Sequence, residues 1–352
     1  MFKVLSINPG STSTKIALYE DESLIFQKTI RHSSEELAVF TDVFSQFEFR
    51  KELILDVLKE ENISLNEFSA IVGRGGMLRP VESGVYEVND KMLSDLQTAD
   101  SHASNLGALL TSSIAKENPA CRAFIADPVV VDELQEVARI SGLPMFPRKS
   151  AFHALNQKAI ARKYAAENND EYENLRLIVA HLGGGISIAA HEYGKVIDVN
   201  QGLNGYGPFS PDRSGTVDAG ALVKLCFSGE YTQEQTNKLL NGCGGLMAHL
   251  GTNNVAEIEQ LAQNGNHKAK ILLKAMAYQV AKEIGAMHVV LNCNTDAIII
   301  TGGIAHCEFV TTEIVKRVSG LAKIAIFPGE NELESLAFAG LRVLRGEKTK
   351  VY

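Results

Sequence analysis

The segment NPGSTSTK near the N-terminus holds the residue types that bind phosphate and a hydrated cation. Asn8 offers an amide oxygen to a metal ion, and Lys15 adds a positive charge. Backbone N–H and hydroxyl groups for phosphate oxygens come from Ser11, Thr12 and Ser13. The glycine spacing is not that of a Walker A loop, and a strand rather than a helix follows it. We therefore predict a phosphate-binding turn of another kind; a solvated strand position is the alternative for Lys15.

A second turn with similar chemistry lies near the middle of the chain, at Gly183-Gly184-Gly185. Glycine there permits a positive φ and a close approach of backbone N–H groups to an anion, and Ser187 can add a hydroxyl donor. His181 precedes this turn as Asn8 precedes the first, 173 positions earlier, which is close to half of 352 residues. This offset predicts a duplicated domain whose two hairpins face one ligand. Two unrelated hairpins are the alternative.

A third glycine turn follows the apolar run that begins at Asp296. Ligands of open α/β sheets bind beyond the carboxyl ends of the strands. Gly302 and Gly303, followed by Ile304, would let the backbone approach the phosphate of an adenosine nucleotide. A plain strand-to-helix turn is the alternative.

Charged side chains stand beside small residues or at strand ends. Arg74 and Arg213 are each flanked by small residues, which leaves space for bidentate contact with phosphate or carboxylate. Asp127 ends a buried strand and could position magnesium through water, and Glu330 after the last strand is a second carboxylate candidate. The alternatives are surface arginines, a turn cap at Asp127 and an exposed turn at Glu330.

The elements that must position these residues alternate between strands and helices, which indicates an α/β protein. Predicted strands include those around residues 4–8, 23–30, 70–72, 122–126, 177–180, 296–301 and 324–327. A capping box at Ser33 and Glu36 predicts a helical stretch to about residue 61, with a break near Phe47. Further helices are predicted at about 89–96, 104–116, 151–166, 219–227, 268–287, 309–318 and 333–344.

Length and composition narrow the function classes. A chain of 352 residues fits two domains, and a net charge of −8 argues against a broad nucleic-acid surface. The five cysteines show no CxxC spacing, so neither a disulfide framework nor a zinc site is indicated. We expect no signal peptide and no membrane span, and therefore a cytoplasmic protein.

Together these motifs resemble the acetokinase family, within the larger group of sugar kinases, heat-shock proteins and actin-like ATPases. The resemblance runs from SINPGSTSTK through FIADPVVVDE, KSAFHALNQKA, AHLGGGISIAA, SPDRSGTVDAGAL and ITGGIAH to FPGENELESLA. It implies an α/β chain of two duplicated domains of the ribonuclease H-like or actin-like ATPase fold with an interdomain cleft. Residues 1–150 would form the N-terminal lobe on the acid and phosphate side. Residues 151–352 would form the nucleotide-binding C-terminal lobe, with a final helix that can cross back to the first lobe.

The resemblance also implies an activity: ATP-dependent, reversible phosphorylation of a short carboxylic acid, such as butyrate or a branched acid of similar size. ATP or ADP and Mg²⁺ would be bound, and the enzyme would be a homo-oligomer. The family's catalytic arginine falls on Arg213 and its strand-end aspartate on Asp127. Its substrate arginine falls on Arg74 from a shifted position. Its magnesium-linked glutamate falls on Glu330 or Glu332.

The chain departs from the family pattern at two places. The motif HLGNG becomes HLGGG, which removes an amide at Gly184. The transition-state histidine has no secure equivalent, and Arg148, Lys149 and His153 are the candidates. Two other functions stay open from the sequence: a sugar or other hydroxyl kinase that uses Asp127 as a base, and an ATPase of the actin or heat-shock type whose output is motion.

Overall fold

The structure is a computed structural model that describes residues 1–202 and 206–352. The chain forms two compact units. Unit 1 contains Met1–Val131, Ala154–Asn156 and Asn331–Tyr352, and unit 2 contains Asp132–His153 and Gln157–Glu330. The division at residue 150 and the roles given to the two lobes remain predictions.

Unit 1 is built on a six-stranded sheet with the strand order β3-β2-β1-β4-β6-β5. Its strands are β1 (Lys3–Pro9), β2 (Ser13–Glu20), β3 (Ser23–Arg31), β4 (Ala70–Arg74), β5 (Val85–Glu87) and β6 (Arg122–Ala126). Strand β1 pairs antiparallel with β2 and parallel with β4. The three-residue β5 is absent from the sequence prediction because so short a run carries no periodicity.

Helices cover both faces of this sheet. They are α1 (Ser34–Ala38), α2 (Phe47–Glu60), α3 (Asp90–Thr98), α4 (Asn105–Ala115) and α12 (Glu332–Leu344). Alternate residues of β1 and β4 face opposite layers, so that Val4 and Val72 pack with α12 while Leu5 packs with α2 and α4. The predicted capping box at Ser33 is confirmed, and the break before Phe47 separates α1 from α2.

Unit 2 is built on a five-stranded sheet with the order β11-β10-β7-β8-β9. Its strands are β7 (Arg176–Leu182), β8 (Ile186–Glu192), β9 (Lys195–Val199), β10 (Ala297–Gly302) and β11 (Lys323–Pro328). The remaining helices are α5 (Ala154–Glu167), α6 (Ala219–Cys226), α7 (Gln233–Leu240), α8 (Gly245–Leu250), α9 (Val255–Gln263), α10 (His267–Val290) and α11 (Glu308–Val318). Side chains of β7 alternate between a layer containing α10 and α11 and a layer containing α5. Burial on both faces explains why its sequence is continuously apolar.

The two sheets repeat one topology. The order β3-β2-β1-β4-β6 corresponds to β9-β8-β7-β10-β11, and each sheet begins with an antiparallel hairpin. The first residues of β1 and β7 are 173 positions apart, and so are their last residues. The first residues of β2 and β8 are separated by the same 173 positions. The duplication predicted from this offset is confirmed. In the part of the chain that the structure describes, no helix combines the length and the apolar character that crossing a bilayer requires.

Candidate active site

Two of the predicted nucleotide turns border one pocket of unit 2. Its volume is about 630 Å³, and its lining includes Gly183 and Gly184 from one turn and Gly303 and Ile304 from the other. Glu330 lines the same pocket. The two turns meet because β7 and β10 are parallel neighbours, so that their carboxyl ends lie at the same edge of the sheet.

Glycine is required at the end of β10. Gly302 has a φ of 90°, and a Cβ built there would lie 2.3 Å from the carbonyl oxygen of Leu182. The backbone of Gly302 also exchanges two hydrogen bonds with Gly329, of 3.2 and 3.0 Å. The end of β10 is therefore held against both neighbouring strand ends. The approach of this backbone to a nucleotide phosphate stays a prediction.

The reason for glycine at the first turn differs from the prediction. Glycine permits a positive φ at Gly183-Gly184-Gly185, but none of the three residues uses it, since all have negative or extended φ values. At two of the three positions, a side chain of unit 2 occupies the space where a Cβ would lie. A Cβ on Gly185 would lie 1.9 Å from Nη1 of Arg213, and a Cβ on Gly183 would lie 2.9 Å from Oε1 of Glu330.

Arg213 is packed against this turn. It donates from Nη1 to the carbonyl of Gly202 and from Nε to Oδ1 of Asn241, at 3.3 Å. Burial lowers the pKa of Arg213, while the nearby carboxylate of Asp212 opposes that shift. The preceding Ser210 donates to the carbonyl of Gly184. The long loop thus holds the glycine turn and places a partly buried cation beside it.

His181 and His153 stand together next to the pocket. The two rings are stacked, with centroids 3.9 Å apart and planes inclined by 13°. His181 is 1% exposed, and its Nε2 lies 3.0 Å from Oε1 of Glu330. Of the other two candidates for the transition-state residue, Arg148 binds Asp198 at 2.8 Å and Lys149 is exposed. The geometry therefore favours His153 among the three.

A second cluster lies in unit 1, where β1 and β4 end. Asn8 and Arg74 continue the alternate positions of their strands that face α12, and Glu332 occupies the first turn of that helix. Arg74 Nη1 lies 2.9 Å from Glu332 Oε1, and Asn8 Nδ2 donates to Glu332 Oε2. Within the described residues, the buried Oδ1 of Asn8 has no hydrogen-bond partner.

These contacts separate the two glutamates that the sequence could not distinguish. Glu330 contacts His181 in unit 2, whereas Glu332 contacts Asn8 and Arg74 in unit 1. Glu332 is thus the carboxylate next to the amide predicted to face a metal ion.

Asp127, directly after β6, binds the loop that precedes β5. It is 4% exposed and has a φ of 37°, a strained value for a residue other than glycine. Its Oδ1 accepts hydrogen bonds from the hydroxyl of Ser83 at 2.6 Å and from the N–H of Gly84 at 2.8 Å. The turn-cap alternative therefore describes the contacts of this side chain, and a magnesium role for it stays a prediction.

The small residues beside Arg74 are needed for packing. A Cβ on Gly73 would lie 2.4 Å from Oγ1 of Thr111, and a Cβ on Gly75 would lie 2.4 Å from Cβ of Pro128. These glycines allow α4 and the loop after β6 to approach the strand. Space for a ligand beside Arg74, which the sequence suggested, stays a prediction.

Sequence reasoning missed Arg50, which organises the serine-rich turn. Its side chain is 1% exposed and donates to the carbonyls of Gly10, Ser11 and Ser13 at 2.8, 3.2 and 3.3 Å. It also donates to Oγ1 of Thr14 at 3.1 Å. The available signal was an arginine on the apolar face of α2, four residues before the buried Ile54.

Pocket-lining residues between positions 253 and 259 were also missed. Asn254 caps α9 by accepting from the N–H of Glu257, and Asn253, Val255 and Glu259 join it at the pocket. An asparagine three residues before a glutamate and an apolar run was the cue for this helix start. Lys15 and Ser11 to Ser13 lie on unit 1, where Lys15, Ser11 and Thr12 are exposed.

Comparison with known proteins gives a consistent result. Residues 145–342 match the acetokinase family. Butyrate kinase 2 of Clostridium acetobutylicum is 52% identical over 354 residues, covering 100% of this chain and 99% of the relative. Butyrate kinase 1 of the same organism is 54% identical over 355 residues, and the alignment covers 100% of this chain and 100% of the relative.

Among solved structures, acetate kinase from Porphyromonas gingivalis superposes with a TM-score of 0.81 at 21% identity, covering 98% of this chain and 100% of that one. This likeness shows the fold, which is the actin-like ATPase fold expected from the sequence. The relatives do not favour a hydroxyl kinase or a motor-type ATPase.

Proposed function

This chain belongs to the acetokinase family, and we propose on that premise that it transfers the γ-phosphoryl group of ATP to the carboxylate of butyrate. A branched acid of similar size is an equivalent substrate in this proposal. Phosphorylation of a carboxylate by ATP follows from the family and from the full-length relatives. The choice of acyl chain rests on the names of the two clostridial relatives.

One observation carries the nucleotide part of the proposal. Turns that lie more than a hundred residues apart in sequence, at Gly183-Gly184 and at Gly303-Ile304, line the same pocket of about 630 Å³. That size suits a nucleotide, and strand ends of this kind hold phosphates through backbone N–H groups. We assign the adenosine side of ATP to this pocket, and so to unit 2.

This reaction depends more on electrostatic stabilisation of the anionic groups than on acid–base catalysis. A free carboxyl group titrates near pKa ~4, so the acid substrate is already an anion at neutral pH and needs no general base. The enzyme must reduce the repulsion between that anion and the γ-phosphate and hold the two in line. In our proposal Arg74 binds the carboxylate, held in place by Glu332, and Arg213 and His153 stabilise the transferring group.

Magnesium fits the residues at the ends of β1 and α12. Mg²⁺ is usually held by one or two carboxylates together with waters and substrate phosphates, so a large protein ligand cluster is not needed. Asn8 Oδ1 is buried without a partner among the described residues, and Glu332 lies beside it. Asn8 and Glu332 would hold the ion, with Ser11 to Ser13 and Lys15 at the phosphates. When bound, the ion neutralises charge on the phosphate oxygens.

A substrate panel tests the assignment. Acyl phosphate formed from ATP and each acid from acetate to isovalerate is trapped with hydroxylamine and quantified. We expect kcat/KM for butyrate or isobutyrate to exceed that for acetate by roughly 10-fold or more, the usual effect of added methylene groups in a fitted pocket. Acetate as the best substrate would overturn the choice of acyl chain. Steady ATP hydrolysis without acyl phosphate from any acid would overturn the whole proposal.

We also propose that the enzyme is a homo-oligomer, a dimer or larger, as the family resemblance implies. Size-exclusion chromatography with multi-angle light scattering gives the mass directly. A mass of 38.2 kDa at micromolar concentration would identify a monomer and contradict this part of the proposal.

A further inference from the structure

A continuous chain of buried polar side chains runs behind His153. Tyr172 Oη lies 2.7 Å from His191 Nδ1, and His191 Nε2 lies 3.0 Å from Gln157 Oε1. Gln157 Nε2 lies 2.9 Å from Ser187 Oγ, which lies 2.8 Å from His153 Nδ1. Gln157, Ser187 and His191 are 0% exposed and Tyr172 is 2% exposed.

The elements of unit 2 bring these groups together. Ser187 is the cross-strand partner of His181 in the β7–β8 hairpin, so both side chains stand on the same face of the sheet. His153 immediately precedes α5, and Gln157 lies one turn further along the chain. His153 and Gln157 therefore both contact Ser187, near the start of β8 and beside the two stacked histidine rings.

The direction of each hydrogen bond can be worked out. Gln157 Nε2 also lies 3.0 Å from the carbonyl oxygen of Ser187, and a carbonyl can only accept. The amide nitrogen must therefore face Ser187, which leaves Oε1 facing His191. Since Oε1 can only accept, the proton of His191 is on Nε2. Its Nδ1 then accepts from the hydroxyl of Tyr172.

The same reasoning continues to His153. Ser187 Oγ accepts from Gln157 Nε2, and the backbone N–H of His153 approaches it at 3.4 Å. The hydroxyl hydrogen of Ser187 is then available for His153 Nδ1. A neutral His191 is required throughout, and complete burial, with Lys158 and Arg162 nearby, lowers the pKa of His191 well below its usual value.

We propose that Tyr172, His191, Gln157 and Ser187 are positioning residues that fix the tautomer of His153, with its proton on Nε2. This rests on the proposed function, in which His153 acts on the transferring phosphoryl group. In that tautomer Nε2–H donates a hydrogen bond to phosphate oxygens, whereas the opposite tautomer would direct a lone pair at them. A donor oriented before the reaction stabilises charge spread over the transferring group without reorganising.

The tautomer can be measured directly. Long-range ¹H–¹⁵N correlation spectra of ¹⁵N-histidine-labelled protein distinguish protonation at Nδ1 from protonation at Nε2. We expect wild-type His153 to carry its proton on Nε2. Ser187→Ala and Gln157→Met should each move His153 toward the Nδ1–H form and lower kcat by roughly 10- to 100-fold, as loss of an orienting partner usually does. KM values for ATP and acid should stay within about twofold, since ground-state contacts are untouched.

Two further variants make the result unambiguous. Tyr172→Phe removes one hydroxyl at the far end and serves if a Ser187 or Gln157 variant does not fold. Tyr164→Phe is the matched control, because Tyr164 lies in the same apolar cluster and outside the hydrogen-bonded chain. It should change neither the spectrum nor kcat. A wild-type His153 with its proton on Nδ1, or an unchanged tautomer in the Ser187 and Gln157 variants, would overturn the inference.

His153→Ala separates the two proposals. A loss of roughly 10³-fold in kcat supports the role of His153 in the reaction. If that variant keeps its activity while the Ser187 and Gln157 variants still change the tautomer, the catalytic role fails and the tautomer assignment stands. If His153→Ala is inactive and the Ser187 and Gln157 variants do not change the tautomer, the catalytic role of His153 stands and the tautomer assignment fails.

Discussion

Arg213 is the residue whose loss should most clearly separate chemistry from binding. Its guanidinium lies against Gly185 and is directed by Gly202 and Asn241, at the turn that lines the nucleotide pocket. We expect Arg213→Ala to lower kcat by roughly 10³-fold, about 4 kcal/mol, because a cation aimed at the transferring group acts mainly in the transition state. The dissociation constant for ADP, measured by calorimetry, should change much less.

The control for this experiment is Arg345→Ala. That arginine forms exposed ion pairs with Asp21 and Glu22, which contribute little to stability and nothing to the pocket. If Arg213→Ala lowers kcat tenfold or less, Arg213 has no direct part in phosphoryl transfer.

Arg50 should matter for ATP although it is buried under the turn. Its guanidinium donates to three backbone carbonyls of the turn, those of Gly10, Ser11 and Ser13, and so orients them toward α2. Arg50→Met keeps the volume but leaves these carbonyls without their donor, which costs about 1–3 kcal/mol for each group that water cannot reach. We expect KM for ATP to rise at least tenfold, together with a lower melting temperature.

Lys51→Met, at the next position of α2, is the matched control and should leave both quantities nearly unchanged. A lower melting temperature with an unaltered KM for ATP would show that Arg50 serves the fold alone.

At the scale of elements, the contact of α12 with β1 and β4 places Glu332 beside Asn8 and Arg74. Gly340 lies on the same helix, where a Cβ would be 2.7 Å from Cγ2 of the buried Val72. Gly340→Ala should therefore destabilise unit 1 by about 1–3 kcal/mol through overpacking, in spite of the better helix propensity of alanine. Chemical denaturation measures the change in the free energy of unfolding.

Gly285→Ala offers the opposite case in the same protein. Gly285 lies within α10, and a Cβ there would have no atom within 4 Å. With no steric penalty, alanine should stabilise by roughly 0.5–1 kcal/mol. Equal effects of the two substitutions would contradict the tight packing of α12 on its sheet.

At the scale of the whole molecule, we assign the nucleotide to unit 2 and the acid to unit 1. This assignment predicts which backbone amides each ligand protects from hydrogen exchange. Magnesium-ADP should slow amide hydrogen exchange in unit 2, at residues 181–187 and 302–306, because a bound ligand stabilises the elements that contact it. Addition of butyrate to that complex should add protection around residues 70–76 of unit 1. Mass spectrometry of peptic peptides resolves both regions.

Helix α7 is solvent-exposed and contains none of the residues that we assign to a ligand, so it is the internal reference and should exchange equally in all states. Protection of residues 70–76 by magnesium-ADP without protection of 181–187 would reverse the assignment of nucleotide and acid to the two units.

The sequence by itself determined the repeated hairpins, the alternation of strands and helices, and the strand ends that carry glycine. These follow from local rules. Apolar runs bounded by turn residues form buried strands, and ligands of such sheets bind at the carboxyl ends. A constant offset of 173 residues survives because β1 and β7 have the same length and the same following turn.

Only the tertiary structure decided which side chains meet. Asn8 and Glu332 are 324 residues apart, and no periodicity relates them; they touch because α12 packs on the face of β1 that Asn8 also occupies. The same holds for Ser187 with His153 and for Arg50 with the serine-rich turn. The type of a residue determines what it can bind. Its partners depend on how helices pack on sheets, and a local sequence pattern does not predict that packing.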